Sequence, residues 1–193
     1  MALTAPPADK QDAVLDAAFH TFAAYGFRRT TMEDIARAAG MSRTALYLHF
    51  RNKDDIFRSL TERYFEGAVH DMAAALGRSD QTPAEALLAA FRAKDGKFMD
   101  VVLGTPHGRE LLEAGSSISA DIAEAGEARM ADSLTAFFAR HQIAPGVGTA
   151  EELSQTLKAA LKGLKFSTMT LADHRAGQAR LAALFGMALT PRG

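Results

Sequence analysis

Residues 31–53 read TMEDIARAAGMSRTALYLHFRNK, and this stretch decides the fold. Three helix starts fall within it. Thr31 is followed three positions later by Asp34, the spacing of a capping box. Ser42 opens a second helix, and Asn52 with Asp55 opens a third. Gly40 stands where the first helix must stop, because glycine enters the left-handed conformation without steric cost. The pattern predicts a helix over 32–39, a tight turn, a helix over 43–49 and a new helix from Lys53. Two short helices joined by such a turn form a helix-turn-helix, whose second helix can enter a DNA major groove.

Apolar spacing supports this reading. Ile35, Ala36 and Ala39 share one face of the first helix, and Leu46 with Phe50 forms the inner side of the second. Arg43, Thr44, Tyr47 and His49 are left pointing outward, groups suited to phosphate oxygens and base edges.

The pattern T-x-x-D-I-A-x-x-A-G-x-S-x-x-x-L-Y-x-H-F-x-x-K-x-x-(I/L) resembles the amino-terminal DNA-binding domain of the tetracycline-repressor (TetR) family. It is carried by Thr31, Asp34, Ile35, Ala36, Ala39, Gly40, Ser42, Leu46, Tyr47, His49, Phe50, Lys53 and Ile56. Ala17, Ala18, Phe22, Gly26 and Phe27 extend it to the preceding helix, so the likeness covers roughly residues 9–60. Beyond about residue 80 only an all-helical pattern is shared. The resemblance implies DNA contacts from Thr31, Ser42, Thr44, Tyr47, His49 and Lys53; Arg43 joins them on its own chemistry. Thr31 and Ser42 have an equally strong reading as helix caps. Tyr47 and His49 have an alternative as packing against the next helix.

Outward from this stretch the chain reads as helix throughout. Residues 9–25 place Leu15, Ala18, Phe19 and Phe22 on one face, and Gly26 ends that helix. Pro6 and Pro7 argue against helix before it, leaving residues 1–8 as a flexible tail. A long helix runs over 53–76, with Asp54 and Asp55 at its positive end. Thr82-Pro83-Ala84-Glu85 combines a cap, a proline at the first helical position and a capping glutamate. One helix is expected from there to about Leu103, with Gly96 inside it as a place for close packing or a bend. Further helices are expected after Thr105-Pro106, over 118–141, over 150–171 and, capped by Asp173, to about Leu189. That makes an all-α chain of about nine helices and no strand. The domains are a helix-turn-helix domain over 9–55, with its motif at about 32–51, and a helical effector-binding and dimerisation domain over 56–193.

The family likeness implies an effector pocket in the middle helices. Candidate linings are Phe65, Met72, Phe91, Phe98, Met99, His107 and Leu111, each with an alternative as plain core. It also implies a homodimer built on the last two helices, which would read a palindromic operator in double-stranded DNA. Their apolar sides carry Leu153, Leu157, Leu161 and Leu164, then Leu181, Leu184 and Phe185. The alternative is that these stripes face the chain's own core.

Charge and composition narrow the class. The net charge of −1 hides a segment, 28–53, with six basic and two acidic residues, leaving +4 there and −5 elsewhere. A basic face on an acidic body is a footprint for phosphate. There is no cysteine, and the six histidines make no H-E-x-x-H, so no metal or cofactor is expected. Neither G-x-S-x-G nor a phosphate-binding glycine loop is present, which argues against an enzyme. No run approaches the roughly 20 apolar residues of a membrane span, and the first residues lack a secretory apolar core, so a cytoplasmic protein is expected. The leading expectation is a transcriptional repressor released from DNA by a small apolar or amphipathic ligand. The rival is a DNA-bound adaptor or orphan regulator whose body engages a protein.

Overall fold

A computed structural model describes residues 7–167 and 170–191. The chain divides into two compact units, Met1–Tyr64 with Val101–Ala123, and Phe65–Asp100 with Glu124–Gly193. The tail expected over 1–8 lies mostly outside the described residues. Its last two residues, Pro7 and Ala8, already belong to the first helix. Proline is tolerated there because the first helical position has no intrahelical use for its missing N–H.

The first unit is built on α1 (Pro7–Tyr25), α2 (Met32–Ala38), α3 (Arg43–Tyr47) and the start of α4 (Lys53–Leu76). Val14, Ala18, Phe22, Ile35, Leu46 and Ile56 are wholly buried or nearly so in its core. Phe22, Phe27 and Phe57 form a packed trio, with ring centroids 5.1, 5.2 and 6.0 Å apart. A fifth helix joins them: α7 (Gly108–Ile118) packs on α1 and contributes Leu111 and Ala114 to this core. Polar ties hold it. Arg58 donates to both carboxylate oxygens of Asp121 at 2.8 and 2.7 Å and to the Ile118 carbonyl at 2.8 Å. Thr61 and Ser119 share a 2.9 Å hydrogen bond.

The second unit contains the rest of α4, then α5 (Pro83–Asp95), most of α8 (Ala120–Ala139), α9 (Ala150–Ser167) and α10 (Leu171–Met187). The capping box at Thr82 is formed, with Glu85 accepting from the Thr82 N–H at 2.9 Å. The α10 helix packs on α5 and α9. Gly126 of α8 lies so close to Phe65 of α4 that a Cβ there would meet the ring at 2.2 Å.

Two expectations are corrected. The single helix over 82–103 is two, α5 and α6 (Phe98–Gly104), because Gly96 ends α5 at φ +50° rather than bending it. The described residues therefore hold ten helices. They also hold a short antiparallel pair, β1 (His141–Ile143) with β2 (Leu189–Pro191), in register Gln142 to Thr190. Three residues on each side are too few to show an alternation. Among the described residues no helix is long and apolar enough to cross a membrane.

Candidate nucleic-acid interface

Local chemistry fixes the turn between α2 and α3. Gly40 takes φ +67°. Its N–H donates to the Arg37 carbonyl at 3.2 Å, and the Met41 N–H donates to the Ala36 carbonyl at 2.9 Å. This is a Schellman stop, and it satisfies carbonyls that α2 leaves open. Buried Leu46 then fixes the rotation of α3, so Ser42, Arg43, Thr44 and Tyr47 are exposed together.

The two capping hydroxyls differ in what they have left to give. Thr31 accepts from the Asp34 N–H at 3.2 Å and donates its own hydrogen to Asp34 Oδ2 at 2.6 Å. The hydrogen bond from Thr31 also holds the Asp34 carboxyl below its ordinary range. Ser42 only accepts, from the Ala45 N–H at 3.1 Å. Among the described residues no acceptor takes its hydrogen, so it can cap α3 and donate to a phosphate at once. Arg43 lies along Tyr47, with Nη2 3.4 Å from the phenol oxygen and the guanidinium carbon 5.5 Å from the ring centre. That pair is a flat, hydrogen-bonding surface on the outer side of α3. Thr44 adds a methyl and a hydroxyl beside it. His49 is half-buried at the end of the motif.

Lys53 is placed differently from the others. Its Nζ donates to the carbonyls of Phe27, Arg28 and Thr30 at 2.8, 3.0 and 3.2 Å. An ammonium has three N–H groups, so all are committed within the fold. The loop it grips is held from α7 as well. Glu110 accepts from the Arg28 N–H at 2.9 Å, and Arg29 donates to Nε2 of His107.

The residues expected to line one pocket are divided between the two units. Leu111 is in the core of the first unit and His107 is at its surface loop. Phe65, Met72, Phe91 and Met99 are buried in the second unit, and Phe98 is half-buried there beneath Lys165. Leu153 and Leu157 are buried in the chain's own core. Leu161, Leu164, Leu181 and Phe185 are half-buried, and Leu184 is 59% exposed. Sequence reading missed Leu48, 81% exposed beside Tyr47, and Met187 and Phe166, 75% and 50% exposed on α10 and α9. The available signal was an apolar residue off the buried stripe.

Residues 14–60 match the family described as bacterial regulatory proteins, tetR family. The fold of almost the whole chain agrees: SmeT, the repressor of the Stenotrophomonas maltophilia multidrug efflux pump SmeDEF, superposes with a TM-score of 0.69 at 21% identity, over 95% of this chain and 91% of that one. The amino-terminal domain of this chain is that of the TetR family. A complex of SmeT with triclosan gives the same TM-score of 0.69 at 19% identity, over 96% and 93% of the two chains. Among curated TetR-family relatives, the repressor ComR of Escherichia coli is 28% identical over 116 residues, which is 60% of this chain and 54% of ComR. The regulator AcrR of Shigella flexneri is 41% identical over 49 residues, 25% of this chain and 23% of AcrR. The chain thus matches about half or less of the length of these curated relatives. They are transcriptional regulators, not enzymes.

Proposed function

We propose that the chain is a sequence-specific, DNA-binding transcriptional repressor that acts in the cytoplasm as a homodimer and leaves its operator when a small apolar or amphipathic ligand binds. The observation that carries the reading is the exposed row Ser42, Arg43, Thr44 and Tyr47 on α3, held by a buried Leu46. Arg43 and Tyr47 present donors and a flat ring to base edges, Ser42 donates to a phosphate, and Leu48 offers an apolar contact for a thymine methyl. Thr31 and Lys53 position the motif instead, through Asp34 and the 27–30 loop.

A helix of five residues reaches few base pairs, and each good base contact contributes about 1–3 kcal/mol. Two copies on two half-sites supply the missing selectivity. The exposed apolar and small residues of α9 and α10, Phe166, Ala159, Gly163, Ala183, Leu184 and Met187, form the face on which a second copy would pack. The SmeT–triclosan complex, which shares the fold, supports a small apolar effector. Three helices, α4, α6 and α8, run from one unit into the other, and α7 grips the loop before α2. A ligand that binds better to an arrangement with the wrong half-site spacing lowers DNA affinity reciprocally.

The adaptor reading keeps one observation in its favour: the same exposed face suits a different protein as well as a second copy. Fluorescence polarisation at fixed salt, with DNA from the region upstream of the chain's own gene and a library of apolar compounds, separates the two. Selective binding abolished by one compound supports the repressor. Selective binding that no compound disturbs supports the adaptor.

A further inference from the structure

The second unit contains a buried ionic cluster. Asp95, 6% exposed at the end of α5, takes Lys94 Nζ on Oδ1 at 2.7 Å. Its Oδ2 takes His174 Nε2 and Gln178 Nε2, both at 2.7 Å, from α10. The carboxylate is therefore matched in charge by Lys94 and engaged by three donors. Lys165, on the last turn of α9, is not matched. Its Nζ lies 5.4 Å from the centre of the Phe98 ring, and among the described residues it has no hydrogen-bond acceptor. Desolvation first, then repulsion from Lys94, pulls its pKa down to about 8, against the attraction of Asp95 and Glu127. Lys165 and Phe98 are both half-buried.

We propose that Lys165, with Phe98 beside it, is the anion-recognising end of a binding site for a small monocarboxylate with an apolar body. Charge selects the class. Lys94 and Asp95 cancel, and so do Lys162 and Glu127, which leaves one ammonium, and one negative charge completes it. A dianion would set excess negative charge against Asp95 and Glu127. The carboxylate supplies Lys165 with the acceptor it lacks, and a charge-assisted hydrogen bond in a desolvated place is among the stronger ones. The apolar body lies against the Phe98 ring. Only the consequence for DNA rests on the ligand-release reading above.

Calorimetric titration of the full chain with sodium benzoate and sodium hexanoate, against benzamide and hexanamide, tests the site. The carboxylates are expected to bind about tenfold or more tightly than their amides. Lys165→Met should abolish that preference and Lys165→Arg should keep it. Equal affinity for acid and amide overturns the proposal, as does a preference that survives Lys165→Met or an absence of carboxylate binding at millimolar concentration. The comparison on the unaltered chain stands even if a variant fails to fold. DNA polarisation run in parallel separates the two claims. Carboxylate binding that leaves DNA affinity unchanged supports the site and removes its part in DNA release. Release by neutral compounds with no carboxylate binding supports ligand release and overturns the site.

Discussion

The Lys53 ammonium sits 4.6 Å above the Phe27 ring and donates to the Phe27 carbonyl at 2.8 Å. With Arg28 and Thr30 taking its other two N–H groups, Lys53 fastens the start of α4 to the loop between α1 and α2. All three of its N–H groups are spent inside the fold. Lys53→Met is expected to lower stability by about 1.5–3 kcal/mol, the range for hydrogen bonds to a charged group. DNA affinity should fall with it, while the dependence of affinity on salt keeps its slope. A residue that neutralises a phosphate would instead reduce that slope by about 0.9. Urea unfolding and polarisation across a salt series check both halves.

Gly40 is required for its conformation, since nothing lies within 4 Å of where its Cβ would be. Gly40→Ala forces a side chain into φ +67° and is expected to cost about 1–2 kcal/mol. Gly67, with equally open surroundings but no positive φ, serves as the control: Gly67→Ala within α4 should be neutral or stabilising. Urea unfolding of the two variants checks the contrast.

Asp95 carries a pH signature. Burial pushes its carboxyl up, but the hydrogen bond from His174 and then the Lys94 ammonium overcome this and hold it at about 2, from 3.8. A depressed carboxylate contributes stability above its unfolded pKa and loses it as pH falls through the folded one. The contribution, about 2 kcal/mol, should be complete above about pH 5 and disappear between about pH 4 and pH 2. Asp95→Asn should be less stable at pH 7 and show a flatter stability profile across that window, measured by urea unfolding at a series of pH values.

The last two helices separate core from face. Leu157 is wholly buried within the chain, and Leu157→Ala is expected to cost about 2–5 kcal/mol of stability. Leu184 is exposed, and Leu184→Glu is expected to leave the protomer folded and shift sedimentation from dimer to monomer. A Leu184→Glu protein that still sediments as a dimer would move the interface elsewhere.

The sequence made the local structure of the reader legible because the determinants are local. Thr31 with Asp34, Gly40, Ser42 and Thr82-Pro83 each act within one turn, and each holds the role its spacing indicates. Gly96 was ambiguous because a glycine in an apolar pattern either bends a helix or ends it, and only φ decides. The β1–β2 pair joins residues nearly fifty positions apart, where no periodicity reaches. The same holds for α7: Leu111 and His107 look like pocket residues along the helix, yet one fills the core of the amino-terminal unit and the other meets Arg29. Lys53 matched the motif by type, but where its three N–H groups go is a fact of three dimensions.

The central claim, that the outer side of α3 reads DNA sequence, is tested most directly by selecting bound fragments from genomic DNA. The unaltered chain and an Arg43→Ala, Tyr47→Ala double variant would be compared at one salt concentration. The account predicts a palindromic sequence recovered by the unaltered chain and lost by a variant that unfolds at the same urea concentration. Recovery of the same palindrome by the variant, or of no common sequence by the unaltered chain, would contradict it.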